Sequence, residues 1–327
     1  MATLRLALAQ INPTVGDLGH NSDVIIHHIE KAEQEEIDII AFPELAVTGY
    51  PPEDLLLKPD FIKDNMDAAE KIARSTGEIT AIFGFAERVE DKIYNSAAIA
   101  SKHEIVDSYQ KIHLPNYGVF DEKRYFAEGS DFPVYDLGQV RFGVNVCEDI
   151  WPSSGPSDIQ SEHGASLIIN INGSPFSLGK RSQREEILIE RAKNNGIFIA
   201  YINMVGGQDE LVFDGGSLIV DPTGNILMRA NQFEEKTYIY EIDLPTYKPR
   251  TIPKSINEIK QVTLPGTIRE SPSIVSSPTF SLIDQKEEIY RALVLGTRDY
   301  VRKCGFTKVL IALSGGIDSS LVAAIAV

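Results

Sequence analysis

The sequence predicts an α/β protein, and three observations lead to this class. Short apolar runs alternate with longer amphipathic segments along most of the chain, which is typical of strands and helices in alternation. Polar residues or prolines follow several apolar runs directly, as at Phe42-Pro43-Glu44. A length of 327 residues with 43% hydrophobic and 24% charged residues provides ample material for a globular core.

The first part of the chain is predicted to form five strands, two helices and a long loop. A helix over 21–36 has Asn21, Ser22 and Asp23 as N-cap candidates, and a second helix covers about 61–75. The predicted strands are 4–11, 37–42, 79–85, 93–101 and 105–110, the last two as an antiparallel pair. Residues 111–126 form a loop unusually rich in functional side chains.

The middle of the chain continues the alternation. A short helix is predicted near 158–163 and a long one over 180–195, with Gly196 as its C′ residue. The predicted strands are 140–147, 166–171, 197–205, 238–242 and two that flank the turn at 221–225. A first domain is therefore predicted over residues 1–244.

Composition changes after residue 244. Prolines recur at 245, 249, 253, 265, 272 and 278, so residues 245–280 are interpreted as a Pro/Ser-rich linker that crosses the surface. Beyond it, a helix over 282–303 precedes a strand over 308–313, and a glycine-rich turn leads into an apolar helix from Leu321. Residues 281–327 are thus predicted to begin a second domain.

Charge and cysteine content limit the function classes. Lys and Arg number 31 against 47 Asp and Glu, a net charge of −16, which disfavours nucleic acid and anionic membranes as partners. The two cysteines are far apart and form no CxxC spacing, so neither a disulfide framework nor a zinc site is expected. No secretion signal or membrane span is recognised. A cytoplasmic location is expected, with no metal in the first domain.

Cys147 stands where an apolar strand ends, and acidic residues and the only Trp of the chain follow it. Open α/β sheets bind their ligands at the carboxyl ends of strands. If the next residues turn into a helix, its backbone N–H groups would favour the thiolate, which is the nucleophilic form. The alternative is a buried, inert cysteine.

Glu44 and Lys111 also directly follow predicted strands. A carboxylate can take the proton of a thiol, a cysteine can attack a carbonyl carbon, and an ammonium can stabilise the oxyanion that forms. Each residue has an ordinary alternative, since a charged side chain after a strand is often only a solvated strand end. His113, close to Lys111, could instead pair with Cys147 as a Cys/His dyad.

The three strand ends together resemble the nitrilase (carbon–nitrogen hydrolase) superfamily: Pro43-Glu44, Lys111-Ile112-His113-Leu114-Pro115 and Cys147-Glu148-Asp149-Ile150-Trp151. The resemblance covers about residues 4–243 and implies an αββα sandwich and amide hydrolysis through a thioester. It implies Glu44 as base, Lys111 as oxyanion stabiliser and Cys147 as nucleophile. Glu122 matches a second glutamate near the site, with a solvated loop carboxylate as its alternative. His113 is not the base in this pattern and is interpreted as a residue that orders the loop.

A second motif, Ser314-Gly315-Gly316-Ile317-Asp318-Ser319-Ser320, lies between a predicted strand and a predicted helix. Paired glycines let backbone N–H groups approach phosphate oxygens, and a helix N-terminus favours anions. The loop lacks the lysine of a Walker motif. It resembles the pyrophosphate loop of the N-type ATP pyrophosphatases and implies ATP binding by these seven residues, at the truncated start of a Rossmann-like α/β domain.

A nitrilase-like domain followed by this loop resembles the glutamine-dependent NAD synthetase family. The resemblance implies that the first domain hydrolyses glutamine and that the ammonia converts nicotinic acid adenine dinucleotide to NAD, with ATP and, in the complete enzyme, Mg. Tyr117, Ser174 and Lys180 match glutamine-binding positions, although ordinary loop and helix-start roles are the alternative. A homo-oligomer is expected.

The chain ends at Val327, inside the first helix after the glycine-rich loop. It is therefore expected to be an N-terminal fragment that carries the glutaminase half, with its magnesium and dinucleotide ligands beyond residue 327. Two other functions remain open. One is a free-standing amidase or nitrilase whose tail imitates the loop by chance, and the other is a non-catalytic nucleotide-binding or scaffold fragment.

Overall fold

A computed structural model gives the structure of the protein and describes residues 1–247, 259–269, 277 and 279–327. Four prolines of the predicted linker, at 249, 253, 272 and 278, lie outside the described residues. The helices of the described chain are α1 (Leu18–Gln34), α2 (Pro59–Arg74), α3 (Pro156–Glu162), α4 (Lys180–Asn195), α5 (Gln285–Lys303) and α6 (Ile317–Ala326). Among them, no helix is long and apolar enough to cross a bilayer.

The strands of the described chain form two large sheets and a hairpin. They are β1 (Ala2–Gln10), β2 (Ile39–Ala41), β3 (Thr80–Val89), β4 (Lys92–Ser101), β5 (Glu104–Gln110), β6 (Val134–Leu137), β7 (Val140–Val146), β8 (Leu167–Asn172), β9 (Phe198–Asn203), β10 (Val205–Gln208), β11 (Leu211–Asp214), β12 (Leu218–Val220), β13 (Ile226–Arg229), β14 (Lys236–Leu244) and β15 (Gln261–Thr263). One sheet has the order β14-β1-β2-β3-β4-β5 and the other β13-β12-β9-β8-β7-β6-β15, while β10 pairs with β11.

Alternation along β1 shows how the layers form. Leu4, Leu6 and Leu8 point into a core shared with the second sheet, whereas Ala7 and Ala9 pack with α1 and α2 on the outer face, because successive side chains of a strand point to opposite faces. On the second sheet, α4 packs against the face away from the first sheet. The layer order is helix, sheet, sheet, helix, and the αββα sandwich expected from the sequence is confirmed.

The start of α1 differs from the prediction. The N-cap is Asp17, whose Oδ1 accepts a hydrogen bond from His20 N at 3.1 Å. Asn21 and Ser22 are buried inside the helix instead. The Asn21 side chain holds the preceding loop by donating to the carbonyls of Thr14 and Val47. The helix therefore starts one turn earlier, where a carboxylate can satisfy a free backbone N–H group.

Four further points of the sequence analysis need correction. The segment 134–137 forms β6, an edge-side strand that the sequence analysis missed, and 197–205 is divided between β9 and β10. Part of the predicted linker is a strand, because β15 pairs in parallel with β6 and Leu264 is buried. The strand predicted over 308–313 does not form: these residues are irregular and mostly exposed. A strand requires hydrogen-bonded neighbours, and the described chain provides none for this segment.

Helix α5 is attached to the sandwich through the β10–β11 hairpin. Asp299 Oδ2 accepts hydrogen bonds from Asn12 Nδ2 at 2.7 Å and from Gly207 N at 2.9 Å. The backbones of Gly207 and Gly296 approach so closely that a Cβ on Gly207 would lie 2.8 Å from Gly296 Cα. By contrast, α6 has no buried residue over Ile317–Ala326.

Gly84 on β3 provides a test of how tightly the fold positions Glu44. A Cβ at Gly84 would lie 2.1 Å from Leu45 N and 2.6 Å from the carbonyl carbon of Glu44, so Gly84→Ala must displace this turn. We expect a loss of about 1–3 kcal/mol in the free energy of unfolding, measured by urea titration. Gly19→Ala, on the exposed side of α1, is the control and should be neutral or slightly stabilising; equal effects of both substitutions would contradict this packing.

Candidate active site

The ends of three strands converge on one buried cluster. Glu44 follows β2, Lys111 follows β5 in the same sheet, and Cys147 follows β7 in the facing sheet. Glu44 and Lys111 are completely buried, and Cys147 is 4% exposed. The alternative that Glu44 is a solvated strand end is therefore wrong, and the three residues predicted from strand-end position share one environment.

Lys111 lies between two carboxylates. Its Nζ is 2.7 Å from Glu44 Oε1 and 2.8 Å from Glu122 Oε1. Burial lowers the pKa of the Lys111 ammonium, but Glu122 and Glu44 outweigh this effect, so its pKa lies well above the ordinary value. Lys111 remains a cation, as an oxyanion stabiliser must.

The Glu44 carboxylate is held at both oxygens. Oε1 accepts from Lys111 Nζ and from Asn95 Nδ2, each at 2.7 Å, and Oε2 accepts from Gly173 N at 2.7 Å. A Cβ on Gly173 would lie 3.0 Å from the Tyr50 ring and 3.2 Å from Glu44 Oε2. Position 173 therefore suits glycine, and the contacts fix the orientation of a base that can accept a proton from a nearby thiol.

Glu122 is the second carboxylate of the cluster and is 5% exposed, which rules out the solvated loop carboxylate left open above. Tyr50 donates its hydroxyl to Glu122 Oε1 at 3.0 Å, and Asn95 Nδ2 lies 3.4 Å from Oε2. Burial raises the pKa of Glu122 to about 7, against the lowering effect of Lys111 and with a further contribution from Glu44. Near neutrality, Glu122 is therefore partly protonated.

Cys147 adopts a strained backbone. Its φ is 44°, in the left-handed region that non-glycine residues rarely occupy and that concentrates at functional sites. The short 3₁₀ helix Cys147–Ile150 begins at this residue. The expectation of a favoured thiolate is wrong: burial and the Glu44 carboxylate raise the pKa of the thiol well above its usual value, and Lys111 only partly opposes them. The resting thiol is neutral, so attack requires a base.

Asp149 joins the cysteine turn to the lysine loop. Its carboxylate accepts from the backbone N–H groups of Ile112 and His113, at 3.2 and 2.7 Å, and from the Tyr109 hydroxyl at 2.8 Å. Burial raises the pKa of Asp149 to about 6, although the backbone of His113 acts in the opposite direction. His113 contributes to this order through its backbone N–H, and the loop-ordering role of its side chain stays a prediction.

Two of the three predicted glutamine-binding residues contact the segment that follows Cys147, and the third, Ser174, follows Gly173, whose N–H donates to Glu44. Tyr117 donates to both oxygens of Glu148, at 3.0 and 2.9 Å. The Lys180 ammonium lies 3.9 Å from the centroid of the Trp151 ring, and burial followed by repulsion from Arg184 lowers its pKa. Ser174 is buried, and its Oγ accepts from Arg184 Nε at 3.3 Å. Their roles toward a substrate stay predictions.

Four residues of this region were not found from the sequence. They are Tyr50, Asn95, Asp149 and Arg184. Asn95 carried a weak signal, since it is a polar residue in an otherwise apolar strand, and Asp149 was adjacent to the singled-out cysteine. Tyr50 and Arg184 gave no local signal, because their partners Glu122 and Ser174 are determined by the fold.

The glycine-rich loop 314–320 is separate from this cluster in its polar contacts. Gly315 has a φ of 87°, and α6 begins immediately after Gly316. Ser319 and Ser320 donate their hydroxyls to the Gly316 carbonyl, at 3.1 and 2.9 Å. Among the described residues, no hydrogen bond connects this loop to Glu44, Lys111 or Cys147. The loop is exposed.

Comparison with known proteins defines the class. The model of the carbon-nitrogen hydrolase family matches residues 5–250, and the NAD synthase model matches residues 289–327. The chain belongs to the carbon-nitrogen hydrolase family.

Two glutamine-dependent NAD(+) synthetases are similar to this chain over nearly its whole length. The glutamine-dependent NAD(+) synthetase of Thermotoga maritima is 43% identical over 100% of this chain and 58% of that protein. The solved structure of the corresponding Acinetobacter baumannii enzyme with ADP has a TM-score of 0.84 and 38% identity, covering 99% of this chain and 57% of that chain. The chain therefore spans a little more than half the length of these relatives.

A solved amidase supplies a comparison restricted to the sandwich. A glutamate-to-glutamine mutant of the Nesterenkonia sp. AN1 amidase shows the product of Michael addition of acrylamide at the active-site cysteine of that protein. It is 28% identical, with a TM-score of 0.65, over 74% of this chain and 93% of that chain.

The raised pKa of Glu122 gives a pH-dependent prediction. Because it lies above the ordinary value of 4.5 for a glutamate, the stability that protonated Glu122 contributes is complete below pH 4.5 and is lost as pH rises toward about 7. Glu122→Gln has no carboxylate at this position and does not lose stability in this way. The difference in free energy of unfolding between the variant and the wild type should therefore rise with pH over this interval, by up to about 3 kcal/mol.

Urea titrations at a series of pH values measure this difference. Glu128→Gln removes an exposed carboxylate from the same loop and should give a pH-independent difference. A Glu122→Gln difference that stays flat, or falls as pH rises, would contradict the electrostatics described for the cluster.

Proposed function

We propose that this chain hydrolyses the side-chain amide of glutamine through a thioester on Cys147. The observation that carries the proposal is the Lys111 ammonium, held by two buried carboxylates next to a buried thiol with a strained backbone. A nucleophile, a base and an oxyanion stabiliser are the groups that acyl transfer from an amide needs. The likeness to an amidase with a reactive cysteine supports the same chemistry.

The order of proton transfers follows from the pKa shifts. The Cys147 thiol is neutral at rest, so Glu44 takes its proton as sulfur attacks the amide carbon. Lys111 stabilises the oxyanion of the tetrahedral intermediate. When that intermediate collapses, the C–N bond breaks, and Glu44 returns the proton to the departing nitrogen, which leaves as ammonia. Water then attacks the thioester with Glu44 as base, and the reaction releases glutamate and regenerates the thiol.

Substrate recognition is assigned to the rim of the cysteine turn. The half-buried Lys180 can attract the α-carboxylate of an amino acid, and the hydroxyl groups of Tyr117 and Ser174 can donate to or accept from its polar groups. The exposure of Tyr117, 57%, fits a residue that lines an entrance. These three residues would distinguish an amino-acid amide from a simple one.

The wider role follows from the relatives. We infer that the ammonia serves ATP-dependent amidation of nicotinic acid adenine dinucleotide to NAD, with 1–244 as glutaminase domain, 245–280 as linker and 281–327 as the beginning of the synthetase domain. Ser314 to Ser320 would receive ATP phosphates at the start of α6. Within the described ranges, no cluster of His, Cys, Asp or Glu could hold a metal ion, so no step is assigned to Mg. Cytoplasmic location and homo-oligomerisation belong to the same proposal.

A second candidate function is that of a free-standing amidase. It is favoured by the structural match to the Nesterenkonia amidase, which covers 93% of that chain without any synthetase segment. The match of residues 289–327 to NAD synthase favours the first function instead. The burial of Glu44, Lys111 and Cys147 in one cluster is evidence against a non-catalytic scaffold, because burying ionised groups without use is costly.

Cys147→Ala should abolish ammonia release from glutamine while leaving the circular dichroism spectrum unchanged, because it removes the nucleophile and only a small volume. A coupled glutamate dehydrogenase assay measures the ammonia. Cys304→Ala is the matched control, since Cys304 is an exposed free thiol, and it should retain full activity. Turnover near the wild-type rate in the Cys147→Ala/Cys304→Ala double mutant would disprove the assignment.

Glu44→Gln should lower the rate of ammonia release from glutamine by about 10²–10⁴-fold, and Lys111→Met should lower it by about 10²–10³-fold. Since these ranges overlap, intact-mass spectrometry after mixing with glutamine is used to separate the roles. Glu44→Gln should accumulate any acyl-enzyme that forms, because thioester hydrolysis also needs the base. An adduct in Lys111→Met but never in Glu44→Gln would reverse the two roles.

A further inference from the structure

A continuous set of buried polar side chains connects α5 with Ser174, one of the residues around which a substrate pocket is proposed above. From α5 toward the pocket, its members are Glu288, Gln232, Asp214, Arg184 and Ser174, and none is more than 9% exposed. The mechanism proposed above uses none of the first four. Buried polar groups require partners, so the path these contacts follow is a fixed feature of the fold.

The contacts run atom to atom. Gln232 Nε2 donates to Glu288 Oε1 at 2.8 Å and to Asp214 Oδ2 at 3.0 Å. Asp214 Oδ1 accepts from Arg184 Nη1 at 2.7 Å. Arg184 then donates from Nη2 to the Ser174 carbonyl at 2.9 Å and from Nε to the Ser174 hydroxyl at 3.3 Å. The backbone and side chain of Ser174 are therefore both held by this guanidinium.

A second, shorter connection reaches the first turn of α4, which carries Lys180. Arg181 Nε lies 3.5 Å from Glu288 Oε1, an ion pair without a hydrogen bond. Arg181 follows Lys180 in the first turn of α4. The Glu288 carboxylate therefore contacts α4, which carries Lys180. Through Gln232 and Asp214 it is also connected to the Arg184 guanidinium, which holds Ser174.

We propose that Glu288 is a positioning residue for the substrate pocket, by which α5 holds Ser174 and the first turn of α4 in the geometry that binds the amino-acid part of glutamine. This inference rests on the proposed glutaminase function. Removal of Glu288 leaves Arg181 without its counter-ion and Gln232 without one of its two acceptors. Both side chains then move toward other partners, and the loss of geometry appears as weaker substrate binding while Glu44, Lys111 and Cys147 keep their contacts.

Asp299 offers a matched control on the same helix. It is 4% exposed, and, like Glu288, it attaches α5 to the sandwich through buried hydrogen bonds. Its partners are Asn12, the backbone of Gly207 and the neighbouring Arg298, none of which takes part in the contacts that lead from Glu288 to Ser174. Asp299→Ala therefore removes a buried carboxylate of α5 while every side chain between Glu288 and Ser174 is retained.

The test is glutamine binding to the full chain in a Cys147→Ala background, measured by isothermal titration calorimetry. Glu288→Ala should weaken the Kd on the order of tenfold, the size of a lost hydrogen bond to a charged group. Glu288→Gln keeps an acceptor for Gln232, so its Kd should lie between those of Glu288→Ala and the Cys147→Ala reference. Asp299→Ala should have the same Kd as that reference. In the active chain, Glu288→Gln should raise KM for glutamine with little change in kcat.

The outcomes separate the inference from the function on which it rests. Unchanged Kd in both Glu288 variants, or an equal loss in Asp299→Ala, would overturn the positioning role. If the Cys147→Ala reference itself binds no glutamine, the glutaminase proposal fails and the inference with it. Should Glu288→Ala not fold, the Kd and KM of Glu288→Gln decide the matter alone, because this substitution preserves size and hydrogen bonding.

Discussion

The Lys111 ammonium and its two carboxylate partners are the interaction on which the rest of the site depends. An isolated cation of this kind is very unfavourable in a protein interior, and an isolated carboxylate equally so. The Lys111 ammonium lies 2.7 Å from Glu44 and 2.8 Å from Glu122. Gly173 N and Asn95 Nδ2 contact the two carboxylate oxygens that Lys111 does not reach, Glu44 Oε2 and Glu122 Oε2, while Asn95 and Tyr50 also donate to the other two. Loss of the ammonium would leave its carboxylate partners buried without a counter-ion, so the proposed catalytic role and the structural role of Lys111 coincide.

The sandwich provides what this cluster needs. Glu44 and Lys111 come from one sheet and Cys147 from the other, so the packing of the two sheets determines their separation. Asp149 reinforces it by connecting the cysteine turn with the loop after β5. The raised pKa values of the Cys147 thiol and of Glu122 follow from the same burial. Burial protects the neutral thiol from adventitious reaction, and in the proposed mechanism Glu44 activates it.

Local pattern together with a family resemblance identified the principal residues but not their partners. Glu44, Lys111 and Cys147 were singled out because each follows a predicted strand, and the resemblance of their three motifs to the nitrilase superfamily supplied their expected roles. The α/β class followed from the alternation of elements, and the αββα arrangement followed from that resemblance. Tyr50 and Arg184 could not be predicted, because each forms hydrogen bonds with a residue that is distant in sequence and is brought near only by the fold. The thiolate expected at Cys147 was wrong because burial outweighs a short 3₁₀ turn. The strand expected at 308–313 was wrong because strand formation depends on neighbours, which an apolar run does not reveal.

The central claim is that this cluster, with Tyr117, Ser174 and Lys180 at its rim, acts on glutamine. The most direct measurement is the kcat/KM for ammonia release by the wild-type chain from glutamine, asparagine, acetamide and acetonitrile under identical conditions. The account predicts turnover of glutamine well above that of the other three compounds. Equal or faster release from acetamide or acetonitrile would contradict it and would identify a general amidase or nitrilase instead.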